Sequence, residues 1–138
     1  MTIRNLDKLF RPRSVAVIGS SDSPGALGRV VARNMLQDGF RGEISFVNPK
    51  YGSVLGHPCV ADLKQLAQVP DLAVIATPAA TVPGLIEELA ELGTRAAIII
   101  SAGFGGVEGA ALKQRMRLAA KPHLLRMIGP NCLGVLVP

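Results

Sequence analysis

A parallel β-sheet with helices against both faces is the fold class that this 138-residue sequence predicts. Five short apolar runs recur along the chain, and the segments between them carry apolar residues at helical spacing. Hydrophobic residues make up 49% of the chain but aromatic ones only 4%, so the core must be Val, Ile, Leu and Ala. That is the palette of strands buried on both faces. A charged fraction of 18% excludes a disordered chain.

The runs are Ser14–Ile18, Glu43–Val47, 72–76, 96–100 and 124–128. Each is short, aliphatic or β-branched, and bounded by Gly, Pro, Ser or Thr, the pattern of a fully buried strand. His57–Val60 is a weaker candidate for an extra strand. Leu27, Val30, Val31, Met35 and Leu36 form the first helical stripe, closed by Gly39. Val82, Leu85, Ile86, Leu89, Ala90 and Leu92 form the second, with Thr81 placed to cap it, Pro83 in its first turn and Gly93 after its end. Leu112, Met116 and Ala119 or Ala120 form the third, which stops before Pro122. A short helix is expected over 61–67. Strand and helix in alternation imply right-handed crossovers. The expectation is one Rossmann-like, doubly wound domain of five or six strands over residues 1–138. The final apolar run, Gly134 to Pro138, reads as the cut end of an N-terminal fragment from a longer multidomain protein.

Fifteen basic and ten acidic residues leave a formal charge of +5. The basic residues are scattered and no aromatics interleave with them, which argues against a nucleic-acid partner. A mild positive excess suits a small polyanion. Cys59 and Cys132 are not spaced as a metal or redox pair, so a reduced, cytoplasmic setting is expected. No stretch approaches the ~18 apolar residues of a membrane span, so no membrane partner is expected.

In an open parallel sheet the ligand crevice lies beyond the carboxyl ends of the strands. After the first strand comes Gly19-Ser20-Ser21-Asp22-Ser23-Pro24-Gly25-Ala26-Leu27-Gly28. Glycines let backbone approach a phosphate, free N–H groups at a helix start attract anions, and the serines add hydroxyl donors. The spacing matches neither G-x-G-x-x-G nor G-x-x-x-x-G-K-[ST]. After the second strand come Asn48, Pro49 and Lys50, where an NAD-binding domain offers an acidic residue to the ribose. A lysine there favours a phosphorylated ribose, and both the 2′-phosphate of NADP and the 3′-phosphate of coenzyme A meet that requirement. Thr77 and Pro78 open a small-residue turn. Ser101, Ala102 and Gly103 open a glycine-rich one, ahead of Glu108, which suits a helix start. Asn131 follows the last strand. His57 and His123 are not spaced for a metal, Cys132 has no evident base, and no catalytic constellation emerges. The domain is expected to bind rather than react.

These post-strand segments, taken together, resemble the CoA-binding domain of the NDP-forming acyl-CoA synthetases. Residues 9–21 (LFRPRSVAVIGSS), 47–50 (VNPK), 73–78 (AVIATP), 101–104 (SAGF) and 128–134 (IGPNCLG) carry the resemblance, in order, over nearly the entire chain. A similar domain occurs in the succinyl-CoA synthetase α subunit and at the start of synthetase-like protein lysine acetyltransferases. The resemblance implies that Gly19, Ser20 and Ser21, in the loop with Gly25 and Gly28, face coenzyme A phosphates. It places Lys50, beside Asn48, at the 3′-phosphate and Thr77 and Pro78 along the nucleotide. Ser101, Ala102 and Gly103 would then flank the pantetheine arm, and Asn131 would lie near the thiol. It also implies downstream ATP-grasp, ligase or acetyltransferase domains as partners, with ATP or ADP confined to them. Gly105 and Gly106 depart from the family's pattern, which often has an acidic residue here. Neither histidine matches the family's phosphorylated one, which lies in later domains. An NADP-dependent oxidoreductase domain and a free-standing module that senses coenzyme A or nucleotides are the alternatives.

Overall fold

The computed structural model describes residues 4–37 and 39–130. Its elements run α1 (Leu6–Phe10), β1 (Ser14–Ile18), α2 (Leu27–Gln37), β2 (Glu43–Val47), β3 (Ser53–Val54), β4 (His57–Val60) and β5 (Leu72–Ile75). Then come α3 (Val82–Leu92), β6 (Ala96–Ile99), α4 (Gly106–Ala120) and β7 (Arg126–Ile128). Among the described residues seven strands form one sheet in the order β3-β4-β2-β1-β5-β6-β7, in which only the two-residue β3 is antiparallel to its neighbour. The other six are parallel, and the chain reverses its direction of winding between β1 and β5.

The alternation of side chains along each strand builds two cores. Ala73 and Ile75 of β5, with Ala97 and Ile99 of β6, face α3 and α4, where Ile86, Leu89 and Met116 meet them. Their neighbours Leu72, Val74, Ala96 and Ile98 face the opposite way, onto Leu9 of α1 and Val31 and Met35 of α2. Every residue of β5 and β6 is therefore buried. A third cluster, of Val17, Ala32, Phe46, Val54 and Cys59, closes the sheet beneath α2.

The expected doubly wound sheet is present, with differences in detail that have physical reasons. The weak 57–60 strand is real, and Ser53–Val54 folds back on it as a further strand. The helix expected over 61–67 is a single 3₁₀ turn, Leu63–Gln65, opened by the Asp62 carboxylate accepting from the Lys64 amide at 2.8 Å. Only Leu63 of that turn is buried, so no apolar stripe holds a longer helix down. The last strand starts at Arg126, because Leu124 takes a left-handed conformation (φ 57°) and is exposed. Thr81 does not cap α3; its hydroxyl instead donates to Thr77 Oγ1 at 2.7 Å and lies 2.6 Å from the Pro78 carbonyl. Pro83 lies in the first turn of α3, and Gly93 ends it at φ 111°. Helix α1, which no apolar pattern announced, is tied to the amino edge: Lys8 pairs with Asp71 at 3.3 Å. The other Asp71 oxygen accepts from the Arg13 amide at 2.9 Å.

Candidate ligand site

The site is built where the parallel strands end. Gly19 terminates β1 at φ +88°, and its amide donates to the Val47 carbonyl at 2.9 Å, so the loop leaves from the middle of the sheet. A Cβ on Gly19 would stand 2.7 Å from the Ala76 carbonyl oxygen and 2.9 Å from Thr77 Cγ2. The β1 loop thus touches the β5 loop across the seam where winding reverses. Gly28, in the first turn of α2, has the tightest approach in the loop: a Cβ there would meet the Gly19 carbonyl oxygen at 1.9 Å. These two glycines let helix start, strand end and neighbouring loop converge. Gly25, at φ +80°, faces open space.

Each residue of 20–23 is anchored by the segment following β2. The Asn48 side-chain amide donates to the Ser20 carbonyl at 2.8 Å, and the Asn48 oxygen accepts from the Lys50 amide at 2.9 Å. The Ser21 hydroxyl donates to the Tyr51 phenol at 3.2 Å, and the Ser23 hydroxyl lies 2.8 Å from the same oxygen. The Asp22 carboxylate accepts from the Leu55 amide at 2.9 Å. The serine hydrogen bonds hold the Tyr51 phenol below its usual range, with Ser21 the larger influence and Ser23 the next.

The expected residues therefore fall into distinct placements. Gly19, Ser21, Gly25, Gly28, Asn48 and Lys50 gather at one rim, with Lys50 exposed there. Ser20 lies in the same loop, but its hydroxyl is fully buried and faces the Cys59 sulfur at 3.9 Å, leaving its backbone as the part toward the rim. Thr77 and Pro78 continue the rim beyond Gly19. Ala79, next along, reaches Gly103, whose Cβ position is 3.4 Å from that of Ala79. Ala102 and Gly103 are exposed. Ser101 is buried, and its hydroxyl has no hydrogen-bond partner among the described residues. A buried hydroxyl left unpaired at a rim of open backbone is a donor without an internal use. Asn131 and Cys132 lie outside the described residues. Among those described, no three His, Cys, Asp or Glu side chains form a metal-type cluster. None of the described helices is long and apolar enough to cross a membrane. His57 is exposed and stacks edge-on against Phe46, and Glu108 is exposed in the first turn of α4.

Sequence reasoning missed three contributors. Tyr51 and Asp22 carry no motif of their own, and only the fold shows that they staple the loops. A cleft of about 570 Å³ opens beyond Gly103 and Gly105, lined also by Lys113, Arg117, Gly129 and Pro130. Its two cations stand four residues apart on α4, a spacing that puts both on one helix face.

The arrangement suits an elongated, multiply anionic ligand: glycine-rich backbone at the centre, a lysine at one end and an orphan hydroxyl toward the other. Comparison with known proteins agrees with it. A family model described as a CoA binding domain matches residues 13–138. The chain is 38% identical over 133 residues to acetate–CoA ligase [ADP-forming] I of Archaeoglobus fulgidus, covering 95% of this chain and 19% of that protein. It is likewise 38% identical, over 95% of its length, to the α subunit of the corresponding Pyrococcus furiosus ligase I, of which it spans 30%. Among solved structures it superposes on the dinucleotide-forming acetyl-coenzyme A synthetase 1 of Ca. Korarchaeum cryptofilum with a TM-score of 0.86 and 32% identity. That match covers 94% of this chain and 28% of the other. The chain thus spans less than a third of these relatives.

Proposed function

The chain belongs to the CoA binding domain family, and from that premise we propose that its rim holds coenzyme A. The 3′-phosphate lies against Lys50, and the diphosphate lies over Gly19, Ser20, Ser21, Gly25 and Gly28. The nucleotide passes Thr77 and Pro78, and the pantetheine arm runs along Ser101, Ala102 and Gly103. By the family resemblance, Asn131 is assigned to the thiol end. The single observation that carries this reading is the unbroken contact from the Lys50 loop through Gly19 and Thr77 to Gly103. A ligand spanning that distance needs anchors at both ends and backbone it can approach between them. When bound, coenzyme A supplies the thiol that carries an acyl group. This chain's residues bind and orient it.

We infer further that residues 1–138 act as one domain of an acyl-CoA synthetase of the NDP-forming type, with ATP or ADP handled elsewhere in the parent. Its homology with part of the ADP-forming acetate–CoA ligases supports this. The direct test is calorimetric titration of the chain with coenzyme A, 3′-dephospho-coenzyme A and NADPH. Coenzyme A is expected to bind best. Lys50→Ala should weaken coenzyme A by roughly 1–3 kcal/mol, toward the lower end because Lys50 is exposed, and leave the dephospho form nearly untouched. Equal affinity for the two coenzyme A forms, or preference for NADPH, would overturn the assignment.

A further inference from the structure

Tyr51 is the chain's single tyrosine, and the chain has no tryptophan. Its side chain is half-buried at the rim, one residue beyond Lys50. A phenol oxygen offers two lone pairs and one proton. The Ser21 hydroxyl donates to that oxygen at 3.2 Å, while Ser21 Oγ is itself oriented by accepting the Ser23 amide at 3.0 Å. The Ser23 hydroxyl, at 2.8 Å, stands at the same oxygen. With both serines donating, both lone pairs are occupied and the phenol proton has no acceptor among the described residues. Hydrogen bonds accepted in series polarise the group that accepts them and strengthen its own O–H as a donor.

We propose that Ser21 and Ser23 serve the ligand indirectly: both donate to Tyr51, and the phenol O–H they free donates to a phosphate of the ligand beside Lys50. Tyr51 is then a ligand-contacting residue of this rim, and the two serines are its positioning residues. The inference rests on the coenzyme A reading above and changes which atoms make the contact. It fits the anchoring of the loop: the Ser20 hydroxyl is buried, and the Ser21 hydroxyl proton is already committed to Tyr51. It also fits the acidity of the phenol. Ser21 and Ser23 lower its pKa and Lys50 adds in the same direction, while partial desolvation and Asp22 oppose them.

With one tyrosine and no tryptophan, excitation above the phenylalanine band reports Tyr51 alone. Coenzyme A should quench this emission as the phenol proton meets a phosphate oxygen, with a midpoint equal to the calorimetric Kd. Tyr51→Phe, which keeps the ring and loses the hydroxyl, should weaken coenzyme A roughly tenfold. Ser21→Ala with Ser23→Ala keeps the phenol and should weaken binding by a smaller factor while retaining the quench. Emission unmoved at saturation would overturn the proposal, as would Tyr51→Phe binding as tightly as wild type or more tightly. Tighter binding would mark the phenol as a plug on the serines. A loop staple without ligand contact would lower the melting temperature in both variants and leave the wild-type emission unchanged, so the wild-type titration decides even if a variant fails to fold. Wild-type protein that does not bind coenzyme A overturns the functional reading as well; binding without response at Tyr51 overturns this inference alone.

Discussion

Two helical glycines, Gly28 in α2 and Gly84 in α3, should respond to alanine with opposite signs. At Gly28 the new Cβ would stand 1.9 Å from the Gly19 carbonyl oxygen, 2.9 Å from its carbon and 3.3 Å from Ser20 Cα. All three atoms are backbone, so no rotamer relieves the overlap. The start of α2 must retreat from the end of β1 by about 1.5 Å to reach an ordinary contact near 3.4 Å. Overpacking of this kind costs about 1–3 kcal/mol, and a rigid obstacle puts it at the upper end. Better helix propensity returns up to about 1 kcal/mol, leaving a net loss of roughly 2 kcal/mol. At Gly84 no heavy atom lies within 4 Å and the residue is exposed, so propensity acts alone, adding about 0.5–1 kcal/mol. For a chain of this size those changes correspond to a melting temperature lower by roughly 6–10 °C and higher by roughly 2–4 °C. Urea denaturation followed by far-ultraviolet circular dichroism measures both. Gly28→Ala within about 0.5 kcal/mol of wild type would refute the steric account of the loop, and Gly84→Ala losing stability would refute the propensity account of α3.

Two other groups give separate tests. Tyr51 has a lower pKa folded than its ordinary value of 10.0, so the unfolded chain binds more protons in the window just below that value. Stability therefore rises with pH through this window, the phenol adds nothing at neutral pH, and the gain is lost as pH falls through the folded pKa. A tyrosinate absorbance titration should give an earlier midpoint in native protein than in urea, and Ser21→Ala should move it back up; a native midpoint at or above the unfolded one contradicts the hydrogen bonding described. Thr94, fully buried at the amino edge, has a hydroxyl without a partner among the described residues, so Thr94→Val should stabilise the domain by about 1 kcal/mol and leave coenzyme A affinity unchanged. Destabilisation in the same denaturation assay would mean the hydroxyl has a partner after all.

The sheet was legible because its strands are apolar on both faces. Runs such as Leu72–Ile75 and Ala96–Ile99 leave no other way to bury every side chain. What escaped the sequence lacks such a repeat. Helix α1 has one buried residue, Leu9, and is held by the Lys8–Asp71 pair and by packing against the sheet. Strand β3 is two residues long and exists only because β4 offers it an edge. Thr81 had the composition of a cap, but the turn before α3 is already helical, which points its hydroxyl back at Thr77 and Pro78. In the site, the glycines and Lys50 were visible because their types are unusual at those positions. Tyr51 and Asp22 were not, because a tyrosine or aspartate in a turn is ordinary until the fold brings its partner, some thirty residues away in sequence, within reach.

The distribution of these contacts constrains how the rim works. The β1 loop is bound to the β2 side by four side-chain hydrogen bonds, from Asn48, Tyr51 and Asp22. Across the seam to β5 it has no such bond among the described residues; there Gly19 meets Ala76 and Thr77 by close packing only. The site thus has one half pre-assembled by polar staples and another held by the sheet, with the ligand path crossing between them. Preorganisation lowers the ordering cost of binding on the stapled half. The Thr77 hydroxyl accepts from Thr81 and keeps its own proton, so the second half offers a ligand backbone, the Thr77 hydroxyl and the Ser101 hydroxyl, which is unpaired among the described residues. Affinity should therefore be concentrated at the Lys50 end, where charge and staples coincide. Truncating the ligand from the phosphate end should then cost more than truncating it from the thiol end. Comparing 3′-dephospho-coenzyme A with a nucleotide that keeps the 3′-phosphate but lacks the pantetheine arm tests this directly, and weaker binding by the armless nucleotide would mean that the rim beyond Gly19 carries the larger share.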